Sequence, residues 1–225
     1  MVNKLKVILT GATGMVGEGV LNECLQNENV EKVLVITRRS TAYSDPKLKE
    51  LIHGDFFDFS GLNPELQGYN ACFFCLGVTS MGKKEEEYTR LTYTLTMNFA
   101  RILAELNPAM TFCYISGAGT DSTEKGRLMW ARVKGRTENE LLKLPFRRVF
   151  NFRPAVIQTS LPLKPSQTFY KTYKYIGWLF PVVRFFAPDS VTHVINIARA
   201  MISVSLNGYS APVLESKDIN RISKL

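Results

Sequence analysis

The first residues whose types and spacing suggest chemistry are three glycines near the start of the chain. Gly11, Gly14 and Gly17 follow a short apolar run and precede helix-compatible residues, which predicts a strand, a tight turn and a helix. The start of a helix presents unpaired N–H groups and partial positive charge, and glycines let a phosphate approach them. A larger side chain at Gly14 or Gly17 should block nucleotide binding with a modest loss of fold, unless the glycines serve only packing. The predicted contact residues of this turn are Gly11, Thr13, Gly14, Met15, Val16 and Gly17.

Two arginines indicate which dinucleotide the site binds. A second apolar run, Val33–Ile36, comes one helix after the first, as a nucleotide-binding βαβ unit requires. Arg38 and Arg39 follow it, at the place where a site for NAD carries an acidic residue for the ribose hydroxyls. An arginine there suits a 2′-phosphate, so the pair predicts NADP(H). A solvated surface pair is the alternative, because basic residues are common on loops.

The loops after the next two predicted strands supply further contacts. Apolar runs at 51–53 and 71–79 predict these strands, and the second run is continuous enough for a central strand buried on both faces. We expect the Asp55 carboxylate to lie near the adenine ring, and His53 to be structural. The predicted cofactor contacts in these loops are Asp55, Phe56, Leu76, Gly77 and Val78.

Two patterns that often carry chemistry are incomplete here. Gly77–Lys83 matches the Gly-x-x-x-x-Gly-Lys of a phosphate loop, but Lys84 stands where a Ser or Thr hydroxyl must hold magnesium. Cys72 and Cys75 lie three residues apart on a predicted strand, so their thiols point to opposite faces. We therefore expect neither a metal site nor a redox pair, but buried thiols in a reducing cytoplasm.

Length and charge limit the function classes. At 225 residues with 45% hydrophobic composition, the chain suits one α/β domain spanning 1–225. We predict no targeting segment at the start, since glycines interrupt its apolar run, and a cytoplasmic location. The net charge is +8, and residues 125–184 hold thirteen Lys or Arg against two Glu. This excess of positive charge favours binding to a dinucleotide phosphate, an anionic membrane surface or nucleic acid. The sequence contains no recognisable nucleic-acid-binding motif, so nucleic-acid binding is not expected.

Several features together resemble a known family. They are Thr-Gly-Ala-Thr-Gly-x-x-Gly at 10–17, Arg38 and Arg39, Cys-Leu-Gly at 75–77, Ser116 after its strand, Lys134-Gly135 on a helix and Arg153-Pro154 at a strand end. This set resembles the extended or atypical short-chain dehydrogenase/reductase superfamily. It is most similar to the Tat-interacting, oxidoreductase-like proteins and the NAD-dependent epimerase/dehydratases. The likeness is strong over residues 5–157 and weak beyond them.

The resemblance implies both a fold and a reaction centre. The fold is a Rossmann-type doubly wound parallel sheet, with a cofactor-binding core over 1–157 and NADP(H) along the strand ends. The implied hydride-transfer residues are Ser, Tyr and Lys, which places Ser116 and Lys134 in the site. The family's tyrosine stands four residues before the lysine, and this chain has Trp130 there. An indole N–H does not ionise usefully, so Trp130 occupies the catalytic position without the proton-transfer chemistry.

The last third of the chain is expected to serve the substrate. We predict a lid or contact segment over 158–190, in which the aromatic and basic stretch Phe169–Ala187 forms a wall of the substrate cleft, with protein or membrane-surface contact as the alternative. Its apolar run is shorter than the roughly 20 residues of a membrane span. Beyond it, Val191–Leu206 predicts a packing helix and Pro212–Leu214 a late strand.

Two function classes stay open at this point. The first is an NADP(H)-dependent oxidoreductase or epimerase-like enzyme that acts on a small molecule the sequence does not identify. The second is a non-catalytic NADP(H)-binding sensor or scaffold. A fold does not decide between them, but Trp130 favours the second.

Overall fold

Short strands alternate with helices through the chain. The computed structural model describes residues 4–59, 61–159 and 188–225. The strands in these ranges are β1 (Leu5–Thr10), β2 (Val30–Thr37), β3 (Leu48–Ile52), β4 (Ala71–Phe74), β5 (Thr111–Ile115), β6 (Arg148–Arg153), β7 (Val156–Gln158), β8 (Val191–His193) and β9 (Val213–Glu215). The α-helices in them are α1 (Met15–Gln26), α2 (Asn63–Leu66), α3 (Glu85–Thr89), α4 (Leu95–Leu106), α5 (Met129–Leu141), α6 (Val194–Asn207) and α7 (Ser216–Ile222). A π-helical turn, Arg90–Thr94, joins α3 to α4.

Seven strands of the described ranges form one parallel sheet. Their order is β3-β2-β1-β4-β5-β6-β9, and every neighbouring pair is parallel. The strand order reverses between β1 and β4, so the connections after these strands diverge and leave a crevice at their carboxyl ends. The expected doubly wound α/β fold is confirmed.

Helices cover both faces of this sheet. One face buries Leu21 of α1 and Ile197 of α6 together with Val7 of β1. The opposite face buries Phe99 of α4 with Ile8 of β1. Burial on both sides explains why the central strands are continuous apolar runs.

The cysteines are divided between the two faces of the sheet. Cys72 lies in the core that α4 covers, whereas Cys75 packs against the opposite core, which also contains Cys24 and Cys113. The two thiols therefore face away from each other, as their spacing predicts. Burial raises the pKa of each thiol above its usual value, which keeps them protonated and unreactive.

Three predicted boundaries are wrong. The strand expected at 51–53 runs from Leu48 to Ile52. β4 ends at Phe74, and residues 75–79 form a loop at the sheet edge in which Gly77 and Val78 are exposed. The helix predicted from Val191 begins at Val194 instead, because Val191–His193 pairs with β7 in a second, two-stranded parallel sheet. This pairing joins distant parts of the chain, so the local apolar pattern did not reveal it.

The two strands of the second sheet precede and follow the predicted lid in the sequence. β7 ends at Gln158 and β8 begins at Val191, so most of the segment 158–190, and all of Phe169–Ala187, lies outside the described residues. At the end of β8, His193 Nδ1 accepts a hydrogen bond from Ile195 N (3.2 Å) and caps α6. Partial burial lowers the pKa of His193, which favours the neutral ring that can accept this bond. None of the helices in the described ranges is long and apolar enough to cross a membrane.

Candidate functional site

A cleft of about 360 Å³ opens at the carboxyl ends of β1, β2 and β4. It lies at the position where the strand order reverses, which is the place that open α/β sheets use for ligands. The residues that line it are Gly11, Thr13, Ile36, Thr37, Arg38, Arg39, Phe56 and Leu76. All but Ile36 and Thr37 are residues that the sequence predicted as cofactor contacts. The structure thus brings together parts of four predicted loops.

The glycine turn packs too tightly for side chains at two of its positions. Gly11 has a φ of +74°, and a Cβ there would lie 2.6 Å from the carbonyl of Cys75. A Cβ at Gly17 would lie 2.1 Å from the carbonyl oxygen of Gly11. Helix α1 therefore begins in direct contact with the turn that follows β1.

The third glycine of the turn is under less constraint. Gly14 has extended backbone angles (φ −87°, ψ 164°), and a Cβ there would come no closer than 3.3 Å to the carbonyl oxygen of Gly11. The prediction of a modest loss of fold is therefore wrong for Gly17, where any side chain meets backbone atoms. At Gly14 it stays a prediction.

Arg38 and Arg39 stand at the open side of the cleft. Both side chains are exposed, and in the described part of the chain neither takes part in the ion pairs that other arginines form. The backbone carbonyl of Arg39 accepts a hydrogen bond from Thr37 Oγ1 (2.8 Å). Two unpaired guanidinium groups beside a glycine turn suit a ligand with phosphates at two places.

The other predicted nucleotide contacts do not line the cleft. Asp55 is exposed, and its Oδ1 accepts a hydrogen bond from Phe57 N (2.8 Å), which shapes its own loop. Met15 is 8% exposed, because it faces the core at the start of α1. The remaining members of this group are Gly14, Val16, Gly17, Gly77, Val78 and Lys134. Sequence reasoning missed Ile36 and Thr37, although their place at the end of β2, directly before the arginines, could have indicated them.

Ser116 lies at the carboxyl end of β5, already engaged in a hydrogen bond. It is 7% exposed, and its Oγ is 3.0 Å from Oγ1 of Thr120. The single hydroxyl proton of Thr120 goes to the carbonyl oxygen of Gly117 (2.8 Å). Ser116 must therefore donate to Thr120, which leaves its lone pairs, and not its proton, available to a ligand.

Lys134 reaches the same strand end from α5. Its Nζ is 3.5 Å from the carbonyl oxygen of Ile115 and 5.5 Å from the ring centroid of Tyr114. Burial lowers the pKa of the Lys134 ammonium to about 8, although the carboxylate of Glu138 acts in the opposite direction. The group is therefore a weaker base, and a stronger acid, than an ordinary lysine.

Trp130 lies one helical turn before Lys134 and packs on the loop after β5. A Cβ at Gly119 would be 3.4 Å from Cη2 of Trp130, so the six-membered ring of the indole lies over that glycine. The side chain is partly exposed rather than enclosed in the core. Ser116 and Lys134 thus lie at the end of β5, and Trp130 packs on the loop that follows it. The catalytic roles that the resemblance implied for these residues stay predictions.

A buried ion pair, which sequence reasoning missed, holds α5 on the sheet. Glu138 of α5 is 1% exposed and binds Arg153 through two bonds, Nε to Oε1 (3.0 Å) and Nη2 to Oε2 (2.5 Å). Arg153 also donates to Ser122 Oγ (2.5 Å). A Cβ at Gly135 would lie 1.8 Å from the carbonyl oxygen of Asp121, so the loop after β5 touches the helix backbone. Glu138 could have been singled out from the sequence, because it is one of only two acidic residues in the basic stretch 125–184.

Comparison with known proteins assigns this architecture to a family. The family model described as NAD dependent epimerase/dehydratase matches residues 7–124, which is more than half of the chain. The chain belongs to that family. The matched range runs from β1 into the loop after β5 and includes both the glycine turn and Ser116.

Two relatives are informative. Protein HTATIP2 of Rattus norvegicus is 28% identical over 235 residues, which cover 100% of this chain and 91% of the relative. This match confirms the expected likeness to the Tat-interacting proteins. A protein from Candida glabrata named "Protein FMP52, mitochondrial" is 24% identical over 157 residues, or 69% of this chain and 65% of the relative. The cytoplasmic location expected for this chain therefore stays a prediction.

Solved structures of the same fold include sugar-nucleotide enzymes. A dTDP-glucose 4,6-dehydratase from Streptomyces venezuelae, with NAD bound, has a TM-score of 0.65 at 15% identity and covers 93% of this chain and 74% of its own. An ADP-L-glycero-D-manno-heptose-6-epimerase from Helicobacter pylori has a TM-score of 0.68 at 14% identity, with coverage of 99% and 81%. At these identities the likeness bears on the fold alone.

Proposed function

We propose that this chain binds NADP(H), with its adenosine end in the cleft between β1, β2 and β4. The observation that carries the proposal is that one cleft joins the glycine turn to Arg38 and Arg39. The glycine turn would hold the pyrophosphate on backbone N–H groups at the start of α1, and the arginines would hold the 2′-phosphate.

The residues present fit this cofactor. A pyrophosphate requires close approach to the backbone, and the glycine turn offers backbone without side chains. A 2′-phosphate adds negative charge, which two exposed guanidinium groups can bind with paired hydrogen bonds. Phe56, at the edge of the cleft, offers an apolar surface to the adenine ring. A site built for NAD would instead need a carboxylate after β2, and none lies among the residues that line the cleft.

The reaction proposed for the bound cofactor is slow reduction of a small carbonyl compound. NADPH, when bound, supplies a hydride. Lys134 would hold the nicotinamide ribose, and the free lone pairs of Ser116 would accept a hydrogen bond from the substrate or from water. Trp130 cannot give the proton that a reduced carbonyl needs, so this proton would come from water, and the rate would rest on the positioning of hydride and substrate.

A second function has a specific observation in its favour. The Trp130 indole packs against Gly119 and would replace the proton donor of the family, and the Ser116 hydroxyl is already engaged in a hydrogen bond with Thr120. Both features suit a non-catalytic NADP(H)-binding sensor or scaffold. Contact of Phe169–Ala187 with a protein or a membrane surface would fit this role and stays a proposal.

Calorimetric titration of the full chain with NADPH and NADH tests the cofactor proposal. We expect NADPH to bind more tightly, and Arg38→Ala or Arg39→Ala to weaken NADPH by about ten- to a hundredfold, since a charged hydrogen bond contributes about 1.5 to 3 kcal/mol. NADH should be nearly unaffected by either change. Arg101→Ala, an exposed arginine on α4, is the matched control. Equal affinities for the two cofactors in the unmodified protein would refute the proposal.

A further inference from the structure

The loop that carries Arg38 and Arg39 takes its shape from a carboxylate on the neighbouring strand. Oε1 of Glu50, on β3, accepts hydrogen bonds from the backbone N of Thr41 (2.8 Å) and from its hydroxyl (2.5 Å). Oε2 accepts a third bond from Ser40 Oγ (2.8 Å). One side chain therefore holds both residues that follow the arginines.

Bonds within the loop complete this arrangement. Thr37 Oγ1 donates to the carbonyl oxygen of Arg39 (2.8 Å), and Ala42 N donates to Ser40 Oγ (3.2 Å). Ala42 has a φ of +64°, a left-handed conformation that residues with side chains rarely adopt. Such a conformation persists where surrounding bonds over-determine it, and Glu50 supplies three of those bonds.

The charge of Glu50 is satisfied by the loop and not by the arginines. Partial burial raises the pKa of its carboxyl, but the hydrogen bonds from Thr41 and Ser40 outweigh this effect and leave the pKa below its usual value. Among the described residues, Glu50 is absent from the ion pairs, as are Arg38 and Arg39. The guanidinium groups thus keep their charge available to a ligand.

We propose that Glu50 is a positioning residue for cofactor selection, which holds Ser40 and Thr41 so that Arg38 and Arg39 both face a 2′-phosphate. The proposal rests on the NADP(H) binding proposed above. Without Glu50 the loop would sample other conformations, and restricting it on binding would reduce the affinity for NADPH. NADH lacks the 2′-phosphate and therefore gains nothing from an ordered loop.

Two variants test this proposal without touching the arginines. Thr41→Val keeps the shape and the net charge but removes a hydroxyl that bonds to Glu50, and Glu50→Gln removes the charge that accepts all three bonds. In calorimetric titrations of the full chain, we expect each variant to weaken NADPH by about fivefold or more and NADH by less than about twofold. Asp45→Asn is the matched control, because that carboxylate lies in the same connection and bonds to Lys47 N instead (2.8 Å). It should leave both affinities unchanged.

A combined variant separates positioning from general destabilisation. If Glu50 acts through the arginines, adding Glu50→Gln to the double variant Arg38→Ala/Arg39→Ala should cause no further loss of NADPH affinity. Parallel losses for NADPH and NADH would show a merely structural role and overturn the proposal, as would unchanged NADPH affinity in Thr41→Val. An unmodified protein that prefers NADPH, with variants in which the ratio of the two affinities is unchanged, would overturn this inference alone. An unmodified protein without the preference would overturn both proposals.

Discussion

The nucleotide end and the reaction end of the crevice differ in how their polar groups are engaged. Around β1 and β2, the cleft is lined by glycine backbone and by Arg38 and Arg39, which form no ion pair within the described ranges. Around β5 and α5, the charged side chains of Glu138 and Arg153 are paired with each other. The arginines of the nucleotide end are thus available to a ligand, whereas the ion pair of the reaction end holds helix α5 on the sheet.

This difference predicts whether a substitution changes ligand binding or the stability of the fold. A polar group without an internal partner contributes little to the free energy of folding and is available to bind a ligand. A buried charge that loses its partner, in contrast, destabilises the folded protein. The hydrogen bond between Ser116 and Thr120 is likewise internal, since it engages the Ser116 hydroxyl within the fold. Changes to Arg38 and Arg39 should therefore alter binding, whereas changes at the reaction end should alter stability or rate.

The largest expected effect is on the free energy of unfolding. Glu138→Gln removes the charge opposite the largely buried Arg153, and we expect a loss of about 3 kcal/mol, because Arg153 then keeps, among the described residues, only its longer ion pair with half-exposed Glu215 (3.5 Å). The double variant Arg38→Ala/Arg39→Ala should lose less than about 0.5 kcal/mol, since both side chains are exposed. Urea unfolding measures both values. Glu140→Gln, whose partner Lys143 is exposed, is the control for a surface pair. Equal losses at the two ends would remove the distinction between them.

The next effect is on rate and separates the two proposed functions. Trp130→Tyr restores a group that can give a proton beside Lys134, and we expect NADPH-dependent reduction of a small carbonyl compound to rise by about tenfold or more, or about 1.4 kcal/mol in the barrier. NADPH oxidation against aldehydes, ketones and quinones gives the rate, and titration should show NADPH affinity little changed. Trp130→Phe, which supplies no proton, is the control. A fast unmodified enzyme that is indifferent to both changes would place the proton donor elsewhere.

The smallest effect concerns the pH dependence of stability. Burial lowers the pKa of Lys134 from 10.5 to about 8, so between these values the unfolded chain binds more protons and stability from this group rises with pH. Below that window the ammonium is buried at full cost. Lys134→Met should therefore stabilise the protein by about 1 kcal/mol at neutral pH, and the gain should shrink towards pH ~10. Urea unfolding across this range measures it, with exposed Lys143→Met as control. A gain that is constant with pH would exclude desolvation of Lys134 as its cause.

The nucleotide end could be predicted because its parts lie close together in the chain. Gly11 and Gly17 belong to one strand, turn and helix, and Arg38 follows the very next strand. Conformation in such a unit depends on local spacing, since strand and helix periods are visible in the residue order. The wrong boundary at Val191 has the opposite origin, because β8 is a strand only by virtue of its pairing with β7.

Residue order alone establishes the α/β class, the glycine turn, the basic loop after β2 and a residue other than tyrosine at position 130. The contacts of those residues depend on the folded structure. Arg153 meets Glu138 on α5 and Glu215 on β9 (3.5 Å), and Glu50 meets the loop that carries the arginines. These contacts join elements that are distant in the chain or set side by side by strand register. Residue order records local periodicity and not such neighbours, so the side chains that hold the site became visible only once the sheet had brought them together.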